Sequence, residues 1–386
     1  MAASAYSFSP VTTLRELEEL VPAWTALYHA SGSSNPFAHP LWMVTWASHF
    51  VPPSDLYTVA VRDDDGRLVG VAPFYRQRVT VGPALHATQL HLLGAGQHTE
   101  LTELPQVVIL PGQERAVLRA LLCYLRTQPV EWDWIELALT PEQGWFEPEW
   151  LQRDGSESSG FVLHKTTRPC VVLPLRPSWD ELRADLKRNV KENLRRGVNR
   201  LARESACWDV ATSETMSDVT RGLGEVIGLH GARAALRGKA RHANYVAHAR
   251  DRDFLHDAAR RMHAAGQLRV CLLRVEGTAV AGRLLLHGNG STFLSLSGFD
   301  PRWWSYNVAT VLTGACLRQA VERGDRLVNL SSGPDRAKLR WSERLELHQV
   351  FVAVNARRSS RAAFAVHWQL RAAHHMRRES LRVEDA

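Results

Sequence analysis

The stretch Thr292–Trp341 constrains the fold of this chain more than any other. Thr292–Ser297 alternates apolar and polar residues over the length of a strand, and Asp300-Pro301 breaks it. Val308, Val311, Leu312, Ala315, Cys316 and Ala320 then recur at helical spacing, with Gly324 placed to end the helix. Arg326–Leu330 reads as a second short strand. A strand, a crossover helix and another strand set two parallel strands side by side with the helix on one face. The helix then begins beside the strand ends, where its backbone N–H groups can hold an anion. This unit is expected to frame the active site.

The remainder of the chain supports two such units. A length of 386 residues is enough for two cores. Leu56–Arg62 and Arg67–Arg76 flank an Asp-Gly turn and predict a hairpin, as do Leu268–Val275 and Ala279–His287 around Glu276-Gly277. Each hairpin has a glycine in its second strand, Gly70 and Gly282, and each is followed by a helix and a strand. This reads as a degenerate tandem repeat of one α/β unit. The expected divisions are an N-terminal domain (1–177), a basic linking helix (178–206), a C-terminal domain (207–355) and a basic tail (356–386). In the first domain, residues 11–30 read as an amphipathic helix, Phe37–Phe50 as a short buried helix, and Gly144–Ser159 as a loop. Ser178 with Glu181 forms a capping box for one long helix to Glu204. Its exposed face carries Lys187, Arg188, Lys191, Arg195 and Arg196.

The net charge of +7 permits an anionic partner. Five scattered cysteines without a CxxC pair argue against a zinc site or a disulfide framework, so no metal is expected. The absence of a signal-like N-terminus and of a run of about 20 apolar residues leads to the expectation of a cytoplasmic protein without membrane insertion.

With this order in hand, the second half resembles the GNAT acyltransferase superfamily. The whole chain resembles its double-domain branch, the CelD/BcsL-type and Fem-like proteins. The motifs are NPFAHPLWMVTWASHF, the basic LKRNVKENLRRGVNRLARE, the LHGARAALRGKA stretch, and LSGFDPRWWSYNVATVLTGACLRQAVERG followed by VNLSSGPDRAKLRW. The resemblance implies an α/β (α+β) fold of tandem GNAT-like domains, each a twisted mixed sheet flanked by helices. It implies a gap between Thr292–Ser297 and Arg326–Leu330 that admits the arm of an acyl-CoA co-substrate. The pyrophosphate would lie on Ser305, Tyr306, Asn307, Val308 and Ala309, a turn that has no glycine where the superfamily has a Gly-rich loop.

The expected function is N-acyl transfer from an acyl-CoA, or a related thioester, to an amine of a small metabolite or sugar. The first alternative is a Fem-like transfer from aminoacyl-tRNA, with Lys187, Arg188, Lys191, Arg195 and Arg196 on the nucleic acid. The second is a non-catalytic binding protein of exopolysaccharide biosynthesis. Asp300, His230 and Lys338 are candidates for the chemistry, as base or as holder of a charged group. Arg233, Trp303, Trp304, Trp341, Phe37 and Trp42 are candidates for substrate contact. Each also has a plain structural reading: Asp300 as a turn former, the aromatics as packing, the basic helix as a solvated face.

Overall fold

The computed structural model describes residues 6–82, 85–96, 101–128, 131–139, 162–205, 207–236 and 242–384. The loop expected over Gly144–Ser159 lies outside them.

The first half runs β1 (Tyr6–Val11), α1 (Leu14–Ala30), α2 (Pro40–Phe50), β2 (Leu56–Asp63), β3 (Leu68–Val81), β4 (Leu85–Leu92), β5 (Val108–Ile109), α3 (Glu114–Thr127), β6 (Trp134–Leu139) and β7 (Val162–Pro174). Two helices follow, α4 (Trp179–Asp185) and α5 (Arg188–Glu204). The second half runs β8 (Trp208–Thr212), α6 (Met216–Ala234), α7 (Ala249–Ala264), β9 (Leu268–Val275), β10 (Thr278–Gly288), β11 (Ser291–Phe299), a 3-10 turn at Pro301–Tyr306, α8 (Val308–Glu322), β12 (Leu327–Ser332), α9 (Arg336–Leu339), β13 (Leu345–Val354) and α10 (Arg358–Glu384).

Local signals account for most of these elements. Thr13 caps α1, accepting from Glu16 N at 3.2 Å, while Glu16 accepts from Thr12 N and Thr13 N at 3.0 Å. Leu17, Leu20, Trp24 and Leu27 form its buried stripe. Gly66, at φ 76°, closes the β2–β3 hairpin, and Asp63 Oδ1 accepts from Arg67 N at 2.9 Å. Tyr6–Val11 was not anticipated as a strand, and Val162–Pro174 forms one continuous strand.

All strands join one mixed sheet in the order β1-β2-β3-β4-β6-β13-β7-β12-β11-β10-β9-β8, with β5 beside β3. Its centre is a reciprocal exchange. β7 follows β6 in the chain but pairs with β12 and β13, and β13 follows β12 but pairs with β6 and β7. Each half therefore donates its last strand to the other, so hydrogen bonding crosses the boundary at residue 177. Each half keeps one parallel pair, β4 with β6 and β11 with β12.

The single long helix expected from Ser178 is broken. Ser178 caps α4 as anticipated, its Oγ accepting from Glu181 N at 3.3 Å. Leu186 and Lys187 are then extended, at ψ 146° and 143°. Buried Leu186 and Lys187 Nζ, which donates to Leu339 O at 3.0 Å, hold this corner. Tertiary anchors override the helical periodicity there.

The two glycines aligned by the repeat face opposite sides. Gly70 lies against Val117 of α3, and Gly282 against Val226 of α6. The hairpins correspond in shape but not in which face each glycine serves.

Candidate functional site

The site is the gap that opens between β11 and β12. They pair in parallel through Ser291↔Leu327, Thr292↔Val328 and Phe293↔Asn329. Beyond that point β11 continues to Phe299, while the pairing of β12 with β7 shifts register between Asn329 and Ser332. The cause is local: Ser331 is left-handed, at φ 83°. Such a conformation costs a non-glycine residue about 1–3 kcal/mol. It is held by Ser331 N, which donates to Asn329 Oδ1 at 2.8 Å, and by a carboxylate from the other half.

That carboxylate is Glu103. Its Oε2 accepts from Ser331 Oγ at 2.5 Å, Ser332 N at 2.8 Å and Ser332 Oγ at 2.9 Å. All three donors converge on one oxygen, which fixes the group and aims Oε1 elsewhere. The loop that presents it is itself braced. Trp42 Nε1 donates to Thr102 Oγ1 at 2.9 Å, and Asn35 Nδ2 donates to Leu104 O at 2.6 Å and Gln106 Oε1 at 2.9 Å. The Asn-Pro-Phe stretch near the N-terminus thus positions a group in the second half's gap.

Cations line the gap. Arg283, on β10, stands opposite Ser297 of β11 and Cys271 of β9. Arg233, at the end of α6, donates through Nη1 to Ser297 Oγ at 3.3 Å and lies 5.6 Å over the Phe299 ring. Arg340 Nη2 donates to Thr310 Oγ1, in the first turn of α8, at 2.7 Å. Burial, then the Arg283 charge, pushes the guanidinium pKa of both Arg233 and Arg340 below its ordinary value. Burial does the same to Arg283 itself. The Nε atoms of Arg283 and Arg340 and the Nε2 of His242 are buried without a hydrogen-bond partner among the described residues. His242 is held at about 4, first by burial and then by the Arg233 charge.

The sequence candidates divide. Lys338 braces the loop after β12, donating to Ser332 O and to Gly333 O at 3.1 Å and pairing with Asp335 at 3.4 Å. Asp300 is corrected to a structural role. It accepts from Arg302 N at 3.0 Å and from Arg302 Nη2 at 2.6 Å, and this pairing holds its carboxyl below the ordinary range. His230 is corrected as a base: both ring nitrogens are engaged. Nδ1 lies 2.9 Å from Ser297 O, and Nε2 accepts from Tyr245 N at 3.2 Å, which makes it a neutral ring with hydrogen on Nδ1. Burial also lowers its pKa. The ring sits there because Gly298 lets α6 approach; a Cβ at 298 would lie 2.2 Å from His230 N.

Phe37 and Trp42, expected to face the cleft, are fully buried and corrected to core residues. Phe37 packs edge-on against Phe293 at 5.0 Å and Trp42 against Phe254 at 5.1 Å, so they weld the two halves. Trp341 is likewise core, with Arg340 5.7 Å from its ring. Trp303 is half-buried, 4.7 Å from Tyr306, whereas Trp304 is 52% exposed beside Phe299.

At the start of α8, Ser305 is exposed, Tyr306, Asn307 and Ala309 are half-buried and Val308 is buried. Asn307 is left-handed, at φ 55°. Its carbonyl accepts from Thr310 N at 2.8 Å and Val311 N at 3.0 Å. α5 clasps this end: Arg200 Nη1 donates to Ser305 O at 3.1 Å and lies 4.1 Å over the Tyr306 ring. A Cβ at Gly197 would lie 2.9 Å from Tyr306 O. Backbone cradling of a pyrophosphate is thus restricted, but Arg340 places an unpartnered buried donor at the same turn. The five cations of the nucleic-acid reading are mostly engaged locally. Lys187 pairs with Glu343 at 2.5 Å, Lys191 Nζ donates to Ala184 O at 2.8 Å, and Arg188 and Arg196 flank Glu192 at 3.2 and 3.6 Å. Arg195 is exposed.

Glu103, Arg283 and His242 were not singled out from sequence. Arg283 had a readable signal, a charge within the apolar run Ala279–Leu286. Glu103 had none, because it acts 229 residues away. No group of metal-ligating residues occurs among the described residues, and no described helix is long and apolar enough to cross a membrane.

Residues 188–339 match the family model described as acetyltransferase (GNAT) domain. No curated protein matches the chain. Among solved structures, FemX superposes with a TM-score of 0.56 at 12% identity, over 89% of this chain and 96% of that one. The C-terminal domain of a protein assigned as a lysylphosphatidylglycerol synthetase, from Agrobacterium fabrum, gives 0.52 at 13% identity, over 91% and 95%. A Bacteroides thetaiotaomicron protein of unknown function gives 0.53 at 13%, over 90% and 99%. The matched acetyltransferase (GNAT) region spans α5 to α9. Over nearly its full length the chain is similar in fold to FemX.

Proposed function

We propose that this protein transfers an acyl group from a thioester donor of the acyl-CoA type to an amine held in the gap between β11 and β12. The observation that supports this most is Glu103, fixed at the strand separation through Oε2 alone. The amine nitrogen attacks the acyl carbonyl, the C–N bond forms and the C–S bond breaks. The amine proton passes to Glu103 Oε1, and the thiolate leaves and takes a proton from solvent. The phosphates of the donor would meet the first turn of α8, through side chains more than through the glycine-free backbone turn. Lys338 holds the loop that carries Arg340, and Trp304 supplies an apolar wall.

An aminoacyl-ester donor is the alternative, supported by the basic face of α5 beside the occupied turn at 305–309. One panel separates them: acyl-CoA thioesters against aminoacyl-tRNAs, each with a pool of amines, read by thiol release and by deacylation. Thiol release dependent on an amine is the expected result. Deacylation of tRNA instead would transfer the reading to the alternative, and donor binding without either product would leave a binding protein.

A further inference from the structure

We propose that the gap between β11 and β12 is built to hold an oxyanion, a carboxylate or phosphate monoester carried by the acceptor, between the guanidinium groups of Arg233, Arg283 and Arg340. The proposal deepens the acyl-transfer reading and rests on it only for the word acceptor.

Arg283 occupies the middle of a strand whose neighbours Ala281, Leu284 and Leu285 are buried. Its cross-strand partners are Cys271 and Ser297, neither of them a carboxylate. Ser297 Oγ also accepts the Arg233 hydrogen bond, so the Arg233 fork is anchored on the residue that stands opposite Arg283. Arg340 closes the third side from the loop after β12, anchored by one nitrogen on Thr310. None of the three makes an ion pair among the described residues. The two nearby carboxylates form no ion pair with them: Glu103 Oε2 is held by Ser331 and Ser332, and Asp335 pairs with Lys338.

Half-buried cations without a counter-ion in contact repel one another, and a fold retains them more readily where something compensates. Planar forks match planar or tetrahedral groups that present two oxygens, and they reject neutral and cationic ligands. The buried unpartnered Nε atoms of Arg283 and Arg340 are the donors such a group would use. The position favours the acceptor over the donor. Arg233 ends α6, and Tyr245, beyond it in sequence, donates to His230 at the same place, whereas the donor's phosphates would belong at the start of α8.

The test is binding to the full chain without turnover. Thermal stability is followed at constant ionic strength against sodium phosphate, malonate and chloride. A saturable rise in Tm with phosphate or malonate, and none with chloride, is expected; the stronger of the two identifies the group. Arg283→Met should weaken that binding by about tenfold or more. Its ligand-free Tm should equal or exceed that of the native protein, because like-charge repulsion is relieved. A purely structural arginine would instead lower the ligand-free Tm and leave the anion response intact. Arg233→Gln provides the second variant should Arg283→Met fail to fold. The proposal is overturned if neither oxyanion stabilises the native protein beyond chloride, or if both variants respond like it. Since no acyl donor is present, a failure of the donor panel and a failure here are separate results.

Discussion

The two halves solve the same topological problem in opposite ways. Each places a helix beside a parallel strand pair that separates after two or three residues. In the first half, β4 and β6 pair only at Gln89↔Trp134 and Leu90↔Ile135. There the helix side is filled by Leu90, Leu92, Ala95 and Leu137 together with Leu118, Leu121 and Leu122 of α3. His91 lies 5.6 Å from Tyr75, whose hydroxyl donates to Ala95 O at 2.7 Å. In the second half the corresponding opening holds Arg233, Arg283, Arg340 and Glu103. The strand that carries Arg283 toward α8 carries buried Ala72 and Phe74 toward α3 in the first half. The frame is therefore not the function. A parallel pair that separates can be sealed by apolar packing or kept open by charge, and side-chain chemistry chooses between them.

The largest expected effect is at Glu103, the carboxylate that reaches from the sealed half into the open gap. Glu103→Gln keeps the shape and removes the base, so kcat should fall by about 10²–10⁴ with donor affinity little changed. A variant that keeps kcat would exclude Glu103 as the proton acceptor. Next is the weld between the halves. Phe37→Ala should cost about 3–5 kcal/mol of stability, measured by denaturant unfolding. If it instead raised KM with stability unchanged, Phe37 would return to the substrate site.

Acid should act on both halves alike. Burial holds His39, His91 and His348 at about 4, against an ordinary 6.5. Below 6.5 the unfolded chain binds protons that the native state refuses, so stability falls as pH falls through the window from 6.5 to about 4. Each fully buried ring contributes up to about 1.4 kcal/mol per pH unit there. Tm should decline from pH 7 to pH 5, and His91→Gln should flatten the decline; an unchanged slope would show that His91 titrates normally in the fold. The smallest effect belongs to the exposed face of α5. Arg195→Ala with Arg196→Ala should shift stability by no more than about 0.5 kcal/mol. A clear loss of tRNA affinity at low salt in this variant would favour the aminoacyl donor.

Several elements were legible because their signals are local. The hairpin at Asp63–Gly66, the capping box of α1, the Ser178 cap of α4, and the strand–helix–strand of Ser291–Ser332 all follow from spacing within a few residues. The break at Leu186–Lys187 was not, because it is imposed by contacts with residues more than 150 positions away. The pairing of Asp300 was illegible for a different reason. Its partner Arg302 lies two residues on, and only the turn geometry shows that the two pair.

The sequence by itself determined the α/β class, the repeated unit and the strand–helix–strand that frames the gap, since periodicity, caps and turn residues act over short distances. Only the tertiary structure decided which half stays open. The exchange of β7 and β13, the left-handed Ser331, and the meeting of Glu103 with Ser332 across 229 residues are all non-local. Spacing along the chain carries no record of which distant groups will share one volume, and it is there that charge, burial and geometry make a site.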